Sequence, residues 1–313
     1  MKPLRAWFLI GFVALASVAL FVSRSDANPE TIRLVAPGVW FREGDMDQGH
    51  CNNVIIEMKD YMIVVDANYP SGARAAMADV KRLSRKPVKY VFDTHHHGDH
   101  IYGNALWTEG GATTLAFQEV GQEMKRLEPA RWLAAAKSRP DVAELHRDAP
   151  EPPKQDITQS EMVLNDGQRK VEFRHLGWAH TRGDGFVYLP KEGVLCTGDA
   201  VVNGPYNNLI DANIANWPTV LRAADKLKPK YVLPGHGLNG GRELLAGQDQ
   251  YLTELYKAVK AGIDAGKTVE EVQSSVKLPD AVSAWVGEAS LKGQVKDTYA
   301  EIKQGKPRGE IQQ

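Results

Sequence analysis

Cysteine is scarce. The 313-residue chain has two, Cys51 and Cys196, and neither has another cysteine at metal-ligand spacing. A cysteine-built zinc module is therefore excluded. Two free buried thiols is the preferred reading, although sequence alone leaves their pairing open. An excess of positive charge is also missing. The formal net charge is −1, so the electrostatic footprint of a nucleic-acid binder is absent and no nucleic-acid partner is expected. Tandem repeats and low-complexity segments are lacking too. Long hydrophobic runs are absent with one exception, "AWFLIGFVALASVALFV" at residues 6–22, which follows Lys2 and Arg5 and precedes "SRSDANPE". A positive start, an apolar run and the small residues of Ser25-x-Ala27 read as an export signal over 1–27. The rival is an uncleaved anchor, because this run sits at the short end of the roughly 17–25 residues that span a bilayer. The expectation is an exported, periplasmic chain with no membrane contact after cleavage, and a membrane-anchored one if the signal stays. Cleavage would remove Lys2, Arg5, Arg24 and Asp26 and move the net charge from −1 to −3.

What is present is ordinary for a globular protein, with 43% apolar and 25% charged residues. "IRLVAPGVWF" and "NVIIEMKDYMIVVD" read as antiparallel strands, the second pair turning at Lys59-Asp60. "SGARAAMADVKRLSR" reads as a helix with Ser71 as its N-cap. "VKYVFD" and "ATTLAF" are strands, 118–147 is helical in pattern, and the prolines of "DAPEPPKQDIT" end that helix. The second half repeats the style, with strands in "RKVEFRHLG", "GFVYLP", "GVLCTGD" and "YVLPGHG" around the helix "NWPTVLRAADKLKPK". Two β-rich halves with helices suggest an α/β (α+β) layered sandwich, helices outside. From 241 the pattern is helical to 313, with Thr268 and Glu271 spaced as a capping box.

The stretch "VKYVFDTHHHGDH", 88–100, crowds His95, His96, His97, Asp99 and His100 behind a strand. Imidazole suits zinc and similar ions, and carboxylate suits harder ones. In an extended loop, His95 and His97 point the same way. Asp99 and His100 open the next helix and face a second point. That loop begins two metal sites and finishes neither. The remaining ligands stand at other strand ends beside small residues that let the backbone turn: His180 in "GWAHTRGD", Asp199 in "CTGDA" and His236 in "LPGHG". Site one is His95, His97 and His180. Site two is Asp99, His100 and His236. Asp199 has two oxygens with which to bridge them. His96 is expected to point away, and His50, His146 and His175 to be hydrogen-bonded core residues.

This order of blocks, H-x-H-x-D-H, a lone His before T-x-G-D, then G-D, then P-G-H-G, resembles the metallo-β-lactamase superfamily across roughly 30–240. The resemblance implies a four-layer αββα sandwich with the metals at one edge, here with a C-terminal helical extension. With the N-terminal signal and the helical C-terminal pattern, the chain divides into a signal peptide (1–27), a catalytic domain (28–240) and the extension (241–313). The resemblance also implies hydrolysis of an ester, thioester, lactone or lactam by a metal-bound hydroxide. Asp99 would orient the nucleophile as well as bind. Two divalent ions would serve as cofactors, zinc first, with iron or manganese open. A cysteine occupies the Asp199 position in the best-known lactamase branch, so Asp199 points instead to glyoxalase II- and lactonase-type members and weakens lactam hydrolysis. The competing reading is a single-iron, persulfide-dioxygenase-type oxidoreductase using His95, His180 and Asp199. The expected partner is a small-molecule substrate, and oligomeric state is not legible. Tyr206 and Asn207 are candidates to touch substrate, the loop 42–50 a candidate flap, and the helix bearing Trp132 a candidate lid.

Overall fold

The computed structural model describes residues 32–286 and 288–311; the proposed signal lies outside them. Among the described residues, twelve strands form two sheets. The first holds β1 (Ile32–Ala36), β2 (Val39–Arg42), β3 (Asn53–Glu57), β4 (Met62–Val65), β5 (Val88–Phe92), β6 (Thr113–Phe117) and β7 (Gln155–Ile157) in that spatial order. The second runs, from its other edge, β12 (Tyr231–Pro234), β11 (Val194–Gly198), β10 (Gly185–Leu189), β9 (Lys170–His175) and β8 (Glu161–Asn165). Helices α1 (Pro70–Leu83), α2 (Gly98–Ile101), α3 (Asn104–Glu109), α4 (Gln118–Ser138) and α5 (Pro140–Ala143) belong to the first half. Helices α6 (Trp217–Asp225), α7 (Glu243–Asp264), α8 (Val269–Ser275) and α9 (Glu288–Gln304) follow.

Strand alternation assigns the layers. In β3, Val54 and Ile56 join the core between the sheets, while Ile55 faces the helical side with Ala73, Ala76, Val80 and Trp107. In β11, Val194 and Cys196 face the inter-sheet core, and Leu195 faces the helices with Trp217, Leu221 and Tyr251. Phe92 of one sheet meets Phe173 of the other with ring centroids 4.7 Å apart. Helices thus cover both outer faces of a sheet pair. Each fully buried Phe, Leu or Ile contributes about 1.5–3 kcal/mol. Cys51 and Cys196 are both buried and free. No helix among the described residues is long and apolar enough to cross a membrane.

Several local expectations change. Ser71 is not the cap of α1. Pro70 occupies the first turn after an extended Tyr69, and no side chain caps the helix. The Ser71 hydroxyl instead donates to Asp141 at 2.7 Å. The helical stretch 118–147 breaks at Arg139, which is extended (φ −120°, ψ 105°) because Pro140 follows it. Two short edge strands, β7 and β8, escaped the sequence pattern. β7 has three residues in the proline-rich stretch, and β8 carries exposed Val163 on an edge. The capping box is present, with Thr268 Oγ1 accepting from Glu271 N–H and Glu271 accepting from Thr268 N–H.

The fold aims four loops at one end. Val65 pairs with Phe92, Gly198 with Pro234, and His175 with Gly185. The chain therefore leaves β5, β9, β11 and β12 on the same edge, where open α/β sheets place ligands.

Candidate metal centre

Asp66, at the end of β4, sets the first loop. Its backbone is left-handed (φ 68°). Its Oδ1 accepts from Thr94 N–H and Oγ1, both at 2.8 Å, and its Oδ2 lies 2.9 Å from His100 Nδ1. That aims His100 Nε2 away from Asp66. The turn of α2 then presents Asp99 beside it.

The seven expected side chains converge. His97 Nδ1 and His180 Nε2 are 3.0 Å apart, and the His95 ring stands edge-on to both at 4.8 Å. Asp99 Oδ2 lies 3.0 Å from His236 Nε2 and 3.4 Å from His100 Nε2. Asp199 stands between the two groups, its Oδ1 3.5 Å from His100 Nε2 and its Oδ2 3.5 Å from His236 and 3.8 Å from His180. The ligand-type atoms of His95, His97 and His180 lie within 4.8 Å of one another, as do those of Asp99, His100 and His236, and those of His95, His100 and Asp199.

The donor set fits divalent ions. His95 Nε2, His100 Nε2 and Asp199 Oδ1 are buried with no hydrogen-bond partner. Each such orphan costs about 1–3 kcal/mol, which a shared cation would offset. Protonation divides the set: against their burial, neighbouring carboxylates hold His97 and His236 above the usual imidazole range, and the acidic groups around His100 hold it well above that range, so these three would give up a proton to a bound ion. Burial, then the neighbouring imidazoles, holds His95 well below its usual range and His180 down to about 3. Burial alone would raise Asp199, yet His236 and His100 hold it at about 2; burial would raise Asp99 too, yet His100 and His236 hold it well below the usual carboxylate range. Neutral imidazole and ionised carboxylate are the ligating forms.

Glycine permits the close approach around Asp199. A Cβ on Gly235 would fall on the Asp199 carboxylate and the Gly198 backbone, and Gly198 has φ +50°.

Other expectations divide. His96 Nε2 turns to Asp211, 3.2 Å away. His50 Nε2 meets Ser71 Oγ at 2.8 Å, and His175 Nδ1 donates to the Asp184 carbonyl at 2.9 Å. His146 is a correction: it is exposed with φ 49°, where the chain turns out of α5. Asn207 is another. It is buried among the C-terminal helices, with Oδ1 accepting from Gln248 and Nδ2 donating to the Trp285 carbonyl at 3.3 Å. Tyr206 stays at the mouth, its ring 6.0 Å from His236. The loop 42–50 brings Met46 Sδ to 3.4 Å from His236 Nδ1. Trp132 packs on Tyr102 at 4.7 Å, behind a cleft of about 300 Å³ that Tyr69, Asp99, Tyr102, Arg131 and Ile210 help to line.

Sequence reasoning missed Asp66, Glu128, Arg131 and Asp211. The Tyr102 hydroxyl donates to Glu128 at 2.8 Å, and Arg131 forks onto Asp211 at 2.7 and 3.0 Å. None stands at ligand spacing, so no local signal marks them, except that Asp66 ends an apolar strand as Asp93 and Asp199 do.

A family model described as the metallo-β-lactamase superfamily matches residues 46–236. Among curated proteins, a Bacillus cereus protein named metallo-β-lactamase type 2 is 27% identical over 201 residues, covering 62% of this chain and 70% of that protein. A Bacteroides fragilis protein of the same name is 33% identical over 114 residues, covering 34% of this chain and 44% of that one. Against that relative the chain spans less than half the length. Among solved structures, a metallo-β-lactamase from Pontibacter korlensis superposes with TM-score 0.58 at 20% identity, covering 71% of this chain and 98% of that one. A stereoselective inverting sec-alkylsulfatase from Pseudomonas sp. reaches TM-score 0.68 at 19% identity, covering 90% of this chain and 51% of that one. Both structural likenesses are of fold.

Proposed function

The chain belongs to the metallo-β-lactamase superfamily, and from that premise we propose that it is a metal-dependent hydrolase of a small ester, thioester, lactone or lactam. The observation that carries this reading is the convergence of seven imidazole and carboxylate side chains, with orphaned buried ligand atoms, beside a cleft that His97 and Asp99 help to line. His95, His97 and His180 would hold one divalent ion and Asp99, His100 and His236 a second, with Asp199 between them; zinc is the first choice. Such ions supply Lewis acidity, which acidifies water toward neutral pH and offsets charge on a substrate oxygen.

The chain's own residues do the rest. Asp99 is 22% exposed at the side chain, so water in the cleft reaches its carboxylate. Held ionised by His100 and His236, it accepts a hydrogen bond and orients a water rather than donating a proton. Tyr69, Tyr102 and Ile210 line the cleft beside Asp99 and offer a substrate apolar surface. The curated relatives' names bring β-lactams into the substrate set. Cys196 does not supply the cysteine of the best-known lactamase branch, because its side chain lies in the inter-sheet core. The proposal includes export, on the strength of residues 1–27 alone.

The test is elemental analysis of the purified chain beside a panel of a lactone, a thioester, a phosphodiester and a cephalosporin. Two zinc per chain with turnover of one panel member supports the reading. One iron per chain, oxygen uptake on a persulfide and a silent panel refute it in favour of the oxidoreductase.

A further inference from the structure

His97 has two ring nitrogens and two neighbours. Nδ1 faces His180 and the centre; Nε2 faces Asp211 Oδ2 at 2.8 Å. Asp211 is 3% exposed, so its partners are set by protein and not by bulk water. Arg131 takes both its oxygens, NH1 to Oδ2 at 2.7 Å and NH2 to Oδ1 at 3.0 Å, and Arg131 NH1 also reaches Glu128 Oε1 at 3.2 Å. An ionised carboxylate only accepts hydrogen bonds. Next to it, His97 has to present Nε2 as the N–H, which leaves the lone pair on Nδ1. Arg131 pins the carboxylate from the other side, so the plane of the His97 ring is set along with its tautomer.

His96 Nε2, His97 Nε2 and the Asp211 carboxylate also lie close enough together to suggest a further cation site. The Arg131 guanidinium already sits on that carboxylate and would repel a cation, so the cluster is a hydrogen-bond relay.

Asp211 is held in this position from two sides, by the loop after β9 and by the C-terminal region. Trp178 Nε1 donates to the Asp211 carbonyl and Gly309 N–H to the Ala212 carbonyl, each at 2.9 Å. Glu301 on α9 accepts from Ile214 and Ala215 N–H at 3.0 and 2.7 Å. The region after 241 therefore ends its chain of contacts on a ligand of the centre.

We infer that Asp211 is the positioning residue of His97, fixing its tautomer and ring plane for the three-histidine half of the centre, with Arg131 as the clamp that holds Asp211. This rests on the metal-centre reading above. The test is zinc titration of metal-depleted protein against a chromophoric chelator, which needs no substrate. Wild type is expected to take two ions in two steps. Asp211→Ala is expected to weaken one step about 10–100-fold and leave the other unchanged. Asp211→Asn, whose amide oxygen still accepts from Nε2–H, is expected to recover most of that loss. Arg131→Ala, which leaves Asp211 in place and unclamped, is expected to weaken the same step less, and it carries the test if Asp211→Ala does not fold. A merely structural role would weaken both steps together and show no rescue by asparagine, which overturns the inference. Unchanged titrations of the variants overturn it as well. A wild-type chain that takes up no ion refutes the metal-centre reading itself, a result distinct from either.

Discussion

Replacing Glu301 by glutamine measures how firmly α9 holds the loop behind the centre. Glu301 is 4% exposed. Its Oε1 accepts from Ala215 N–H at 2.7 Å, and its Oε2 accepts from Ile214 N–H at 3.0 Å and Arg308 N–H at 2.8 Å. Three donors thus depend on one carboxylate. Glutamine keeps a single acceptor oxygen. In its better orientation the amide oxygen replaces Oε2, and its NH2 group then opposes Ala215 N–H. One donor, on the exposed residue Ala215, loses its protein acceptor at a cost that water partly offsets, and two charge-assisted bonds become neutral ones at about half their strength. The expected loss is about 2–4 kcal/mol, a large share of the stability of an ordinary domain. Urea unfolding of the metal-depleted protein at pH 7, read as a lower midpoint at constant slope, measures it. A loss below about 0.5 kcal/mol, the range of ordinary surface substitutions, would refute the argument that this carboxylate ties the C-terminal helices to the 211–215 backbone.

Three further outcomes are expected. Asp184, whose carboxylate accepts from Thr181 N–H, Thr181 Oγ1 and Ala179 N–H, is pushed by burial up to about 6 despite those donors. A folded-state pKa above the unfolded value of about 3.9 means the folded state binds the extra proton, so this contribution to stability is present at low pH and lost as pH rises from about 4 to about 6, by at most about 3 kcal/mol. Asp184→Asn should flatten that part of the stability–pH curve, and a curve parallel to wild type would contradict the assignment. Gly235→Ala places a Cβ on the Asp199 carboxylate, so metal content per chain should fall, and two retained ions would show that the backbone yields instead. Thr268→Ala removes a capping-box acceptor at the start of α8 and should cost about 1 kcal/mol in thermal unfolding while leaving metal content unchanged, because α8 packs on α7 and α9 and not on the centre.

Legibility follows the range of the interactions. Strand alternation and the Thr268 capping box depend on neighbours within a few residues, so they show in the sequence. The short edge strands β7 and β8 do not, because each forms only when a partner strand supplies its hydrogen bonds. The break at Arg139 was legible in principle from Pro140, and the helical periodicity of 118–147 masked it. The error at Ser71 has the same root: a good N-cap residue type was outranked by Pro70 one position earlier.

For the centre, the sequence by itself determined the chemistry on offer. Imidazoles and carboxylates stand just past strand ends beside small residues, and that local arrangement brings His95, His97, Asp99, His100, His180, Asp199 and His236 together once the strands pair. Only the tertiary structure decided what stands behind them. Asp211 meets His97 across 114 residues of chain and Arg131 across 80. Asn207, one residue from mouth-facing Tyr206, turns inward because Gln248 and Trp285 sit beneath it. Ligand identity is a property of short spacing. Ligand orientation depends on which distant loop packs against it, and no local pattern encodes that.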